Sequence, residues 1–200
     1  STGYKFFFYE RNNSTDLTGQ IPQIYLGSCE DILRAAYGIQ EPNEICVASL
    51  FVNSNDDITG NLKYKVYDKY GNELDLSYCN GTKIIKEKPI NEELNRVNFE
   101  LAKELSDEGY DIFDPESDFY NDPCTVYSDD GKDVPLSDRQ TAVYTNASFC
   151  EEGCDYQGIN YTTMYVTCEC TAGGDDADLT AELIDNSIIG DFKEALSALN

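Results

Sequence analysis

The chain has 200 residues, 38 acidic and 14 basic, for a net charge of −24 with no histidine. Such a surface repels phosphate backbones and anionic lipid, because nucleic-acid binding needs clustered Lys and Arg. The missing histidine removes the Ser-His-Asp triad, while a hydrophobic fraction of 40% leaves enough apolar side chain for a core.

Eight cysteines, an even number in uneven clusters, accompany five Asn-x-Ser/Thr sequons, at Asn12, Asn13, Asn80, Asn146 and Asn160. The combination points to an oxidising secretory route, to disulfides and to N-linked glycans. The overlap of Asn12 and Asn13 leaves room for one glycan there. No run of about 20 apolar residues could span a membrane. Ser1 in place of an initiator Met reads as a mature or trimmed start, with any anchor outside the chain.

In chain order, the aromatic run Tyr4-Lys5-Phe6-Phe7-Phe8-Tyr9 is expected to be a strand that wants cover on both faces. A terminal strand of this kind also fits pairing with a neighbouring copy, which makes Tyr4, Phe6, Phe7, Phe8 and Tyr9 candidate self-association residues. The polar stretch Arg11 to Gln20 reads as a loop. Ile21 to Leu26 is extended. A helix follows, with Ser28 as its cap, Asp31 closing a variant capping box, a buried stripe of Ile32, Leu33, Ala36 and Tyr37, and Gly38 as its stop.

Glu44 to Val52 is a continuous apolar strand. Leu62, Tyr64 and Val66 then alternate with lysines, Asp68 to Asn72 turns with Gly71 free to take positive φ, and Leu74, Leu76 and Tyr78 alternate back. Thr82 to Lys88 is expected to be a short edge strand. Asn91 is expected to cap a helix carrying Leu94, Val97, Leu101 and Leu105, which Gly109 ends. Past Cys170, an acidic linker leads to an amphipathic tail from Leu179 to Leu199.

The densest stretch is Asp111 to Cys170, with five of the eight cysteines. Cys150, Cys154, Cys168 and Cys170 flank a hairpin-like segment. A Cys₄ zinc site needs a more usual spacing, so disulfides are the stronger reading. The crossed pairing Cys150–Cys168 and Cys154–Cys170 resembles the end of an EGF-like module, though spacing alone leaves connectivity open. Cys29–Cys79 would link the first helix to the hairpin, and Cys46–Cys124 would tie the two halves together. Asp114, Glu116, Asp118, Asn121 and Asp122 alternate oxygens as calcium ligands do, but without EF-hand spacing, so calcium is at most a weak addition. Asp129, Asp130 and Asp133 around Gly131 read as a β-turn, and Asp138-Arg139 as a local ion pair. GxSxG, P-loop and GxGxxG patterns are absent, and the remaining enzymatic chemistry, a carboxylate pair acting on a glycoside, has no specific signal.

The runs Gly109-Tyr-Asp-Ile-Phe-Asp-Pro115, Asp118-Phe-Tyr-Asn-Asp-Pro-Cys124 and Leu136-Ser-Asp-Arg139, then Cys150-Glu to Cys154 and Cys168-x-Cys170, carry a resemblance. They resemble a cysteine-rich juxtamembrane extracellular module of large surface proteins of ciliates and other protists. Cys29-Glu30, the strand Leu62 to Asp68 and Leu74 to Cys79 extend it over residues 25–196. The resemblance implies an extracellular surface module and no catalytic residues. Cys46 and the lack of a following membrane span depart from the pattern.

The expected fold is α+β and β-rich, a small antiparallel sheet or sandwich with packed helices plus a disulfide-rich, EGF-like module. Its segments are 1–90, a connecting helix 91–110, the module 111–170 and a tail 171–200. The expected protein is a non-enzymatic extracellular structural glycoprotein that self-associates into a coat or filament, without cofactor. The alternative is a ligand-binding ectodomain of a surface receptor or channel.

Overall fold

The structure, a computed structural model, describes residues 2–10, 21–40, 45–54, 61–90, 98–129, 131–143 and 149–172. It is a mixed α and β fold with antiparallel sheets, few helices and three disulfides. One four-stranded sheet has the order β1 (Thr2–Glu10), β3 (Ile45–Ser54), β4 (Asn61–Asp68), β5 (Glu73–Leu74). The second has the order β2 (Gln23–Tyr25), β6 (Lys83–Pro89), β10 (Tyr165–Thr171), β9 (Cys154–Asn160).

The inner faces of the two sheets meet in one core. Leu62, Tyr64 and Val66 of β4 enter it from the first sheet, and Ile84, Val166 and Cys168 from the second. Strand alternation explains the choice, since side chains two apart share a face. Leu105 of α2 (Phe99–Asp107) and Phe119 of α3 (Asp118–Asn121) close the same core. Residues before 91 and after 110 therefore pack together, and β10 of the cysteine-rich segment lies between β6 and β9.

The β4–β5 turn forms as its residues dictate. Asp68 Oδ1 accepts from the N–H groups of Tyr70 and Asn72, both at 2.8 Å, and Gly71 takes φ 79°. The return strand is shorter than expected. After Leu74 the chain winds into a 3-10 turn, Leu76–Cys79, because Asp75 Oδ1 accepts from Ser77 N and starts it. Tyr78 therefore points to solvent instead of continuing a strand.

Helix α1 (Ser28–Tyr37) also departs from expectation. Its N-cap is Gly27 at φ 55°, with no side-chain cap, so Ser28 is already helical. The buried positions are Cys29, Glu30 and Leu33, while Ala36 and Tyr37 are exposed. The Cys29–Cys79 disulfide turns the first helical turn inward and sets that face. Gly38 ends the helix in the left-handed region as read.

β6 is no edge strand: it pairs with β2 on one side and β10 on the other. α2 is capped by Asn98, whose Oδ1 accepts from Leu101 N at 3.1 Å. Asn91, Leu94 and Val97 lie outside the described residues, as does the tail from 173 onward. Where a β-turn is expected around Gly131, β7 (Ser128–Asp129) and β8 (Lys132–Asp133) pair antiparallel, and Ser128 Oγ donates to Asp133 Oδ1 at 2.8 Å. α4 (Leu136–Asp138) then runs into a π turn, Arg139–Val143.

The observed face of α1 gives a direct test. Leu33→Ala should cost about 2–5 kcal/mol in urea unfolding, as full burial demands, and Ala36→Ser should stay within about 0.5 kcal/mol.

Candidate functional site

Strand β6 reads Lys-Ile-Ile-Lys-Glu-Lys-Pro, and its alternation puts Ile84, Lys86 and Lys88 on the inner face. Both lysines are buried, at 0% and 1% exposure. Two ammonium groups inside a core are costly unless paired and hydrogen-bonded. Glu151 pairs with both, set beside Cys150 where the Cys150–Cys168 disulfide holds the chain against β10. Lys88 Nζ lies 3.1 Å from Glu151 Oε2, and Lys86 Nζ lies 4.0 Å from Oε1. Leu62 N of β4 donates to Oε1 at 2.9 Å, and the Lys86 ammonium sits 5.8 Å from the centre of the Tyr64 ring.

At Oε2 no aligned hydrogen bond accompanies the short Lys88 contact. The distance decides its character: charge attraction does not need donor alignment, so the contact is an ion pair. Burial pushes the Glu151 carboxyl up. The Lys88 and Lys86 charges, with the Leu62 N–H, outweigh burial and hold it below the ordinary carboxylate range. One carboxylate thus joins the first sheet, the second sheet and the cysteine-rich segment.

Glu151 also stands near Cys154 and Cys170, with the three ligand atoms within 4.8 Å of one another. The two sulfurs are bonded to each other, so neither is a thiolate that could hold a metal. This is the only grouping of that kind among the described residues. In the acidic turn the side chains serve local backbone instead of converging. Asp114 Oδ1 accepts from Glu116 N at 2.9 Å, Asp122 Oδ1 accepts from Cys124 N at 2.8 Å, and Asn121 Nδ2 donates to Pro115 O at 2.8 Å.

Cys29–Cys79, Cys150–Cys168 and Cys154–Cys170 are joined, so the Cys₄ zinc alternative is closed. The Cys46–Cys124 bond is not formed. Alternation along β3 puts Ile45 and Val47 in the shared core and Cys46, with Ala48 and Tyr67, on the opposite face of the sheet. Cys124 follows α3, whose Phe119 and Tyr120 pack into the shared core, and its thiol is exposed. Cys46 is buried and Cys124 exposed, so the two thiols lie in different surroundings. Arg139 is likewise not paired with Asp138. It is buried, donates from Nη1 to Phe119 O at 2.9 Å and covers the Phe119 ring at 5.5 Å.

Of the sequons, Asn80 and Asn160 are exposed. Asn160 Oδ1 accepts from Thr162 N and Thr163 N at 3.0 and 3.1 Å. Asn12, Asn13 and Asn146 lie outside the described residues. The strand bearing Tyr4, Phe6, Phe7, Phe8 and Tyr9 pairs antiparallel with β3 of its own chain, in register Phe6↔Leu50 and Phe8↔Ala48. An open groove of about 380 Å³ lies beside β4 and the 3-10 turn. Its charges are committed: Lys65 Nζ pairs with Glu73 Oε1 at 2.9 Å, and the bonds from Ser77 hold Asp75 below the ordinary carboxylate range.

Sequence reading missed Glu151 and Tyr156. The hydroxyl of Tyr156 donates to Asp111 Oδ2 at 2.8 Å, and burial, then the Asp111 charge, pushes its pKa far up. The available signal for Glu151 was the pair of lysines two apart that follows Ile84 and Ile85 in the strand, which demands a carboxylate if that face is buried. Comparison with protein-family models, with curated proteins and with solved structures finds no match.

Glu151→Gln should destabilise the fold by about 3–5 kcal/mol, since it leaves buried cations facing a neutral amide. A depressed folded pKa means that this carboxylate stabilises the protein above its unfolded value of about 4.3, and that the stabilisation is lost as pH falls through the lower folded value. Urea midpoints from pH 7 down to 2 should therefore fall more steeply for wild type than for Glu151→Gln. Separately, peptide mapping without reductant should recover the three disulfides, with Cys124 alkylated in the folded protein and Cys46 only after unfolding.

Proposed function

We propose that this chain is a non-enzymatic extracellular structural glycoprotein, a self-associating subunit of a surface coat or filament. Three disulfides fit an oxidising extracellular compartment, and no described helix is long and apolar enough to cross a membrane. The ionic centre at Glu151 is buried within the core, and in the open groove Lys65 is paired with Glu73 while Asp75 accepts from Ser77 N, so both read as structure and not as chemistry. The resemblance to protist surface modules belongs with this reading.

The observation that carries the proposal is the placement of β1. It stands at the end of its sheet and, among the described residues, pairs only with β3. The next strand, β2, belongs to the other sheet. The connecting residues 11–22 can reach about 40 Å when extended. β1 is therefore separable from the rest of the subunit, and the β1–β3 register can form between two copies. A net charge of −24 opposes that assembly, so salt favours it.

Light scattering on the purified glycoprotein should give a mass that grows with protein concentration, and at lower concentration as ionic strength rises. A strict monomer across concentration, salt and calcium contradicts the proposal. Strand exchange has its own readout in the Lys5↔Phe51 register. Lys5→Cys and Phe51→Cys are placed on separate chains, both in a Cys124→Ser background. Mixed and treated with a short bis-maleimide, they should give a two-chain product. Single chains alone would leave β1 in its own subunit.

A further inference from the structure

The sequon at Asn80 sits on a turn of defined shape. The 3-10 turn ends at Cys79, fully buried and bonded to Cys29. Asn80 follows at φ −53°, ψ 125°, then Gly81 at φ 83°, and Thr82 N donates to Cys79 O at 2.9 Å. These are the angles of a type II turn, whose second central position requires glycine. Thr82 Oγ1 donates to the same carbonyl at 2.8 Å, so the sequon threonine is built into the turn. Asn80 itself is exposed.

Two residues earlier stands Tyr78, 58% exposed. Its ring meets that of Tyr37 edge to face, with centroids 5.7 Å apart and planes at 76°. Tyr37 is fixed in turn, because its hydroxyl accepts from Asp75 N at 2.9 Å, and it too is 42% exposed. With Cys79 turned into the core, Tyr78 and Asn80 stand on its solvent side. The result is a braced, exposed aromatic pair two residues before an exposed asparagine that carries a glycosylation signal.

We infer that Asn80 carries an N-linked glycan whose first sugar packs its apolar C–H face on the Tyr78 ring, with Tyr37 bracing that ring. An aromatic face is electron-rich and attracts polarised C–H groups, and it loses apolar exposure to water in the contact. The sugar is tethered two residues away, so the contact is intramolecular and needs little affinity of its own. The contact would cover the Tyr78 face and brace the turn that carries the Cys29–Cys79 link. This inference rests on the secretory reading of the chain.

The test uses the full chain secreted from eukaryotic cells: wild type, Asn80→Gln, Tyr78→Ala, the double variant, and Tyr78→Phe with and without Asn80→Gln. Glycopeptide mass spectrometry should find Asn80 occupied. Losing the glycan should lower the Tm by roughly 2–4 °C in wild type and in Tyr78→Phe, and by near zero in Tyr78→Ala. Proton NMR should place the first sugar's ring protons upfield, in the shadow of the aromatic ring. An equal Tm loss with and without the Tyr78 ring overturns the inference. So does an unmodified Asn80 beside glycosylated Asn160 or Asn146, which leaves the secretory reading standing. A secreted chain with no sequon modified overturns the inference and the glycoprotein reading together.

Discussion

A single carboxylate decides how this fold is joined. Glu151 faces two lysines on the inner side of β6, and it accepts from the backbone of β4. It brings a negative charge from the cysteine-rich segment to the buried Lys86 and Lys88 ammonium groups. A buried pair of this kind adds little over an apolar equivalent, but losing one partner is costly, so its main effect is on arrangement. Inward residues of β6 are one isoleucine and two lysines, and its other face carries Lys83, Ile85 and Glu87. Hydrophobicity alone barely distinguishes those faces. Glu151 does, and it thereby opposes the one-residue slip that would reverse the strand.

The disulfides act on the same core. Cys150–Cys168 and Cys154–Cys170 close loops of 18 and 16 residues around the β9–β10 hairpin, and Cys29–Cys79 closes 50. In the chain-entropy picture such loops contribute about 3 kcal/mol each for the short pair and about 4 kcal/mol for the long one. The two short links fix where Glu151 sits relative to β10. The long one fixes α1 against the 3-10 turn. No disulfide crosses between residues before 91 and those after 110; that connection is made by the shared core, the β6–β10 ladder, and the ion pairs of Glu151 with Lys88 and of Lys83 with Asp155 and Glu169.

Where local chemistry decides, the sequence was legible. Alternation of Leu62, Tyr64 and Val66 and the Asp68–Gly71 turn need no distant partner, and the hairpin's first strand and turn form as read. The stop of α1 at Gly38 is equally local. Its buried face is not, because the disulfide at Cys29 sets the rotation. Three disulfide pairings follow the reading, but Cys46 was assigned a partner without regard to which side of β3 it occupies. Alternating lysines are common on edge strands, so nothing local to β6 reports its interior position. The carboxylate that makes an interior position tolerable lies 63 residues beyond Lys88 in the chain, at Glu151, and no periodicity reports it.

That one joint makes the cysteine-rich segment and the N-terminal sheets a single cooperative unit is most directly tested by native-state hydrogen exchange. The amide of Leu62, which donates to Glu151, should exchange with the same opening free energy as the amides of β6 and β10, and all should lose protection together on acidification below the Glu151 transition. Exchange of the β9–β10 amides at a distinctly lower free energy, with Leu62 still protected, would contradict this and make the cysteine-rich segment a separately opening module.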